Sequence, residues 1–160
     1  MSIENAWKTQ VFDENQIYNL IKSLSKQKNE KLLEIFRESL SSDNEFWRSA
    51  AVNKLIYYKE KVNHQDTELI KKIIESDENI EIKISAANLL AFTYKSSEEF
   101  FYKRIRVEKN KDVLAALVVS ILTINEIPPY LSLPFSDQIS SGEIQITKKV
   151  IQDFIHKNSN

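Results

Sequence analysis

An all-α architecture of about eight short helices is what this sequence predicts, and three observations carry that prediction. The first is punctuation. The 160 residues contain one glycine and three prolines, whereas hairpins and barrels draw heavily on glycine-containing turns. The second is periodicity, because apolar residues recur at helical spacing in almost every segment. The third is the placement of small residues inside apolar helices, as in EIKISAANLL, Glu81 to Leu90.

The elements follow in order. In DENQIYNLIKSL, Ile17, Leu20, Ile21 and Leu24 fall at i, i+3, i+4 and i+7 and form one stripe. Asp13 is placed to cap it, with Gln16 three residues later and Phe12 able to staple onto Ile17. NEKLLEIFRESL takes Asn29 as its cap and has an apolar face of Leu32, Leu33, Ile35, Phe36 and Leu40. Ser42 with Glu45 opens a third helix, Asp66 a fourth, Asn79 a fifth, and Ser96 with Glu99 a sixth. Asn110 or Asp112 begins a seventh, apolar nearly all round and therefore expected to be buried on most sides. IPPYLSLPFSDQISSG, Ile127 to Gly142, holds all the prolines and the only glycine, and is expected to be an irregular connection. Ser140 and Glu143 then cap a final helix carrying Ile144, Val150, Ile151, Phe154 and Ile155.

Composition narrows the function classes. Hydrophobic residues make up 42% of the chain, enough for one domain with a sizeable core. Charged residues reach 28% but balance to a net charge of -1, which leaves no global field to draw in nucleic acid or an anionic membrane. The absence of cysteine removes disulfides, thiolate metal sites and cysteine nucleophiles together. The N-terminal residues MSIENAWKTQVFDENQ lack the apolar core of a signal peptide. The longest apolar run, Val113 to Ile124, is shorter than the roughly 20 residues a bilayer requires. The expectation is a soluble cytoplasmic protein with no membrane partner.

The small residues belong to an internal repeat. WRSAAVNKL from Trp47, IKISAANLL from Ile82 and VLAALVVSI from Val113 align with offsets of 35 and 31 residues. Trp47, Ile82 and Val113 correspond, as do Leu55, Leu90 and Ile121, while Ala51 falls on Ala86 and then on Leu117. A polar turn precedes each unit: SSDNE, SDENIE and KNKD. A second amphipathic segment, TELIKKIIES or SEEFFYKRIRVE, lies between units. Small side chains let neighbouring helix axes approach closely. A bulky replacement should overpack that seam by roughly 1–3 kcal/mol, so Ala86→Phe is expected to destabilise far more than Ala91→Phe.

This pattern, apolar, basic, two residues, alanine, then leucine, resembles the HEAT repeat. IKISAANLL carries it through Ile82, Lys83, Ala86, Ala87 and Leu90. WRSAAVNKL matches at Trp47, Arg48, Ala51 and Leu55 but has Val52 in place of the second alanine. VLAALVVSI departs further, with Leu114 for the basic residue and Leu117 for the alanine. The resemblance implies a HEAT-like α-solenoid in a single domain, 1–160. Residues 42–125 would be its repeat core, 1–41 its N-terminal capping helices, and 126–160 the proline-containing connection and C-terminal helix.

Residues that could carry catalysis are few. His64 is placed in the turn KVNHQDTE, and His156 falls in the last turn of the final helix, where a cation suits the dipole. A single glycine excludes phosphate loops of the GxxxxGK and GxGxxG kinds. There is no GxSxG elbow and no HExxH. Glu98 and Glu99 stand at a helix start, where capping accounts for them. The sequence therefore predicts no enzyme, no cofactor, no metal and no small-molecule substrate.

Binding surfaces are better represented. Lys103, Arg104, Arg106, Lys109 and Lys111, with Lys54, Lys59 and Lys61, form basic stretches interleaved with aromatics in YYKEK and FFYKR. Such an arrangement suits nucleic acid, but acidic residues woven through it favour a solvated helix face. The stretch ESDENIE sets Glu75, Asp77, Glu78 and Glu81 in the turn before the best repeat. Dipole complementation accounts for two of these charges. All four, with Tyr57 and Tyr58, are candidates to meet a basic protein partner. Small, cysteine-free HEAT-like chains of this size resemble bacterial immunity proteins. That resemblance implies a toxin inhibitor whose acidic turn and tyrosines occupy the toxin's basic active-site cleft, as in a nuclease. An adaptor subunit of a larger assembly and a nucleic-acid-binding stack are the other classes.

Overall fold

A computed structural model describes residues 30–159 together with Asn15, Gln16, Tyr18, Asn19 and Lys22. The expected stripe of Ile17, Leu20, Ile21 and Leu24, the staple Phe12, and the caps Asp13 and Asn29 lie outside the described residues. Among the described residues the chain is all-helical and contains no strand. Eight α-helices follow from residue 30: α1 Glu30–Ser39, α2 Glu45–Lys54, α3 His64–Ser76, α4 Ile80–Thr93, α5 Glu98–Ile105, α6 Lys111–Ile124, α7 Pro129–Ser140 and α8 Lys148–Asn158. A 3-10 segment, Leu55–Lys61, prolongs α2, and a short one, Lys95–Ser97, precedes α5. No helix among the described residues is long and apolar enough to cross a membrane.

One turn recurs three times. Asn44, Asn79 and Asn110 stand immediately before α2, α4 and α6, each with its side-chain oxygen accepting from first-turn amides. An asparagine there satisfies backbone donors that the helix itself leaves orphaned. Two residues earlier another side-chain oxygen accepts the asparagine's own backbone N–H: Ser42 Oγ at 3.2 Å, Asp77 Oδ1 at 3.0 Å and Glu108 Oε1 at 2.9 Å. The cap is thus itself buttressed. This corrects the assignment of Ser42 as the cap of the third helix. Ser42 supports the cap, and Asn44 is the cap.

Other boundaries shift for similar local reasons. The fourth predicted helix begins at His64, not at Asp66. Asn63 and Asp66 form a reciprocal capping box, with Asn63 Oδ1 accepting from Asp66 N and Asp66 Oδ2 from Asn63 N, both at 2.9 Å. His64 therefore starts a helix instead of lying in a turn. Ahead of α5, Ser97 takes the place expected of Ser96, and its hydroxyl bonds to the Tyr94 carbonyl. The last helix starts after Thr147, whose Oγ1 accepts from Val150 N at 3.2 Å, so Ser140, Glu143 and Ile144 all precede it.

The proline-rich segment is the largest departure. Pro129 to Ser140 forms α7, where an irregular connection was expected. Pro128 and Pro129 sit at its N-cap and first position, where a missing N–H costs nothing. Pro134 removes one interior hydrogen bond. Ser132, Phe135 and Ile139 are nevertheless buried at i, i+3 and i+7, on a helix that packs on α6. Phe135 also stacks on Phe154 of α8, with ring centroids 4.2 Å apart. Tertiary burial outweighs the local penalty.

Packing follows the sequence repeat. α1 packs on α2, α3 on α4 and α5 on α6, while α4 also packs on both α2 and α6. Aligned residues have matching environments. Trp47, Ile82 and Val113 are buried, and Ala51, Ala86 and Leu117 are completely so, as are Leu55, Leu90 and Ile121. Ala91 is also buried. The expected contrast between Ala86→Phe and Ala91→Phe is therefore lost, because neither site has room for a ring.

Candidate partner-binding face

The acidic turn does not act as a unit. Asp77, the C-cap of α3, is withdrawn from solvent: its side chain is 2% exposed and meets Arg48 Nε at 2.7 Å. Burial pushes its carboxyl up. The hydrogen bonds from Arg48 and from the Asn79 amide outweigh that effect and hold it below its ordinary value. Glu75, Glu78 and Glu81 are exposed, and no hydrogen bond or ion pair engages their carboxylates among the described residues. Glu78 and Glu81 flank the start of α4 and complement its dipole. Glu75 has no such role, because it lies in the last turn of α3, at the negative end.

The two tyrosines separate as well. Tyr58 breaks the helical backbone of the 3-10 segment (φ −116°, ψ 22°), turns inward and packs on Phe36, with ring centroids 6.4 Å apart. Tyr57 points outward, 63% exposed, with Lys54 Nζ 5.7 Å from its ring centroid. Tyr57 and Tyr58 border a small hollow of about 120 Å³ with Glu30, Glu60 and Lys61. Asp77 and Glu78 border a different cleft of about 430 Å³, beside Arg48, Ser42 and Ile73. Glu45 at the start of α2 accepts a hydrogen bond from Asn79 Nδ2 at 3.1 Å, which sets the beginnings of α2 and α4 side by side. Tyr57 is twelve residues beyond Glu45, so the acidic end and Tyr57 lie roughly 18 Å apart along the helix.

A face nonetheless joins them. On α4, Glu81, Ser85, Asn88 and Phe92 recur at i, i+4, i+7 and i+11 and form its outward stripe. The same 35-residue offset maps Ser85 onto Ala50, Asn88 onto Asn53 and Phe92 onto Tyr57. Asn53 and Asn88 are both exposed, and Phe92 is 58% exposed. Two neighbouring helices therefore present matching rows: small residues, asparagines, then large aromatics. On α6 the row changes to Ala116, Val119 and Thr123, and Ala116 is buried. Phe92, Asn53 and Asn88 were missed from the sequence, although the alignment that paired Ala51 with Ala86 already contained the two asparagines and Phe92 follows it by two residues.

The basic residues fall into two groups on different elements. Arg104 is consumed by Glu108 at 2.9 Å and Lys61 by Glu30 at 2.5 Å. Lys103, Arg106, Lys109 and Lys111 are exposed at the end of α5 and the turn into α6, whereas Lys54, Lys59 and Lys61 belong to α2 and its 3-10 extension. His64 is an exposed first residue of α3, and His156 lies in the last turn of α8.

No family model matches the chain, and neither a curated protein nor a solved structure matches it.

Proposed function

We propose that this chain is a HEAT-like α-solenoid that works by binding another protein, and that it serves as an immunity protein neutralising a bacterial toxin domain. The observation that carries this reading is the unequal use of the acidic turn. The fold consumes Asp77 and leaves Glu75, Glu78 and Glu81 exposed without internal partners. Glu75 even opposes its own helix dipole. Carboxylates spent in this way suit a basic partner, whose approach they accelerate through charge steering. Tyr57 and Phe92, exposed on the same pair of helices, offer the apolar anchors that tight interfaces use.

Co-expression with the product of each reading frame adjacent to this gene tests the reading, the expected partner being a toxin domain. Cells should survive, and the two proteins should purify as one complex. Charge reversal of Glu75, Glu78 and Glu81 to lysine should slow association and abolish protection at high toxin dose. Survival unchanged by the chain would overturn the toxin reading, and turnover of a small metabolite by the purified protein would overturn the binding reading altogether.

A further inference from the structure

We infer that two copies of this chain associate through α7, each laying the outward face of that helix antiparallel on the other about a twofold axis between Leu133 and Pro134. This goes beyond the toxin-binding reading and does not depend on it, since α2 and α4 take no part.

The first argument is composition. α7 carries one charged residue, Asp137, fewer than any other of the eight helices. Ser132, Phe135 and Ile139 are buried, and Pro129, Tyr130, Leu133, Pro134 and Asp137 are exposed on the opposite side. Tyr130 is 74% exposed, and Leu133, one turn further on, is 56% exposed. α2, α4, α6 and α7 follow one another in contact, and α7 ends that row. A terminal helix that meets only water needs a polar outer face, whereas this one is apolar. Depletion of charge around an aromatic is the signature of a contact between copies.

The second argument is self-complementarity, which a twofold contact requires. With the axis between Leu133 and Pro134, Leu133 of one copy meets Pro134 of the other, and Tyr130 meets Asp137. Tyr130 and Asp137 lie seven residues apart (137 − 130), or roughly 10 Å along the helix, so one stripe serves both copies.

The third argument is charge, because the two ends of the stripe are unlike. Tyr130 and Lys157 line one hollow of about 610 Å³ between the turn into α7 and the end of α8. Glu126 borders it too but is paired with Lys95 at 3.2 Å, whereas Lys157 has no ion pair among the described residues. Asp137, at the other end, also has none, and it lies in the last turn of α7, where the helix dipole disfavours a carboxylate. Antiparallel association brings each Asp137 to the phenol of Tyr130 and the ammonium of Lys157 on the other copy. A parallel contact sets like ends together, and a purely basic partner leaves Lys157 opposed.

Two helical turns and one hollow make a small contact, so the dimer belongs in the micromolar class. Sedimentation equilibrium of the full chain across the micromolar range tests it. The mass should rise with concentration from 18.7 kDa towards twice that value. Leu133→Glu, at an exposed position, should remain at 18.7 kDa throughout. Asp137→Lys and Lys157→Asp should each weaken association about tenfold, because each change enters twice about the axis. The double variant Asp137→Lys, Lys157→Asp should regain most of it. A single copy at every concentration, a dimer that persists in Leu133→Glu, or a double variant weaker than either single one would overturn the inference.

Discussion

Arg48 in the first turn of α2 grips Asp77 in the turn ahead of α4, with Nε 2.7 Å from Oδ2 and Nη2 3.2 Å from Oδ1. The same guanidinium donates through Nη1 to the carbonyls of Ser42 at 2.9 Å and Asp43 at 3.0 Å. One side chain therefore ties two successive turns together. Asp77 in turn holds the amide of Asn79, the cap of α4. The arrangement is echoed one unit further on. There Glu108 accepts from Arg104 Nη2 and from the amides of Lys109 and Asn110, all at 2.9 Å.

Removing Asp77 should cost more than its three hydrogen bonds, because Arg48 would be left half-buried without a counter-charge. Asp77→Ala is expected to destabilise by about 3 kcal/mol in urea unfolding. Arg48→Met should be milder, since its stem still packs. A double-mutant cycle should show clear coupling. Additive effects would mean the pair contributes nothing as a pair.

Stability should fall on the acid side. Burial pushes the carboxyls of Asp77 and Glu108 up. The hydrogen bonds from Arg48 and Asn79 to Asp77, and from Asn110, Arg104 and Lys109 to Glu108, outweigh it and leave both below the usual range. A depressed folded pKa stabilises the protein above the unfolded value of about 4, and the contribution disappears as pH falls through the folded values. The urea midpoint of the native chain should drop steeply below about pH 4. That of Asp77→Asn, Glu108→Gln should start lower and change less. Parallel profiles would contradict this assignment.

The alkaline limb has a different owner. Burial first, and the charge of Glu98 second, push the Tyr102 hydroxyl up to about 12. A raised folded pKa stabilises below the unfolded value of about 10 and is lost as pH rises from there towards the folded value. Tyr102→Phe should remove that slope, read as the urea midpoint against pH. An unchanged slope would assign alkaline unfolding elsewhere.

Ala86→Phe should overpack a completely buried site and cost roughly 1–3 kcal/mol. Ala91→Phe should be comparably harmful, as its own burial requires. Equal melting temperatures for wild type and Ala86→Phe would break the proposed register.

Asn88→Ala should instead raise stability by about 0.5 kcal/mol, because alanine is the better helix former at an exposed position. Asn53→Ala should gain less, since the Asn53 amide caps the Ser49 carbonyl. A thermal scan comparing the two variants is sufficient. A loss of stability at Asn88 would show that this amide supports the fold itself.

Much of the fold was legible because its determinants are local. Asn79 and Asn110 cap helices by hydrogen bonds to residues two or three positions away, and the apolar stripes repeat at helical spacing. Ser42 misled because hydroxyl and amide side chains compete for the same amides, and the winner depends on turn geometry. Ile127 to Gly142 misled because prolines argue locally against a helix that the contact of Phe135 with Phe154 makes favourable. The candidate site was half legible. Glu75, Glu78 and Glu81 are exposed as expected, whereas Asp77 and Tyr58 are occupied by partners remote in the chain, Arg48 and Phe36.

The amino-acid order alone determined where the helices other than α7 form, how α4 and α6 are capped, and which residues of successive units correspond, since each depends on neighbours within a few positions along the chain. Only the tertiary structure decided which carboxylates are consumed, which of two adjacent tyrosines turns inward, and that Asn53 and Asn88 stand on neighbouring helices. Those outcomes depend on which helices pack together, and residues about 30 apart in sequence become partners only when that packing brings them within hydrogen-bond reach.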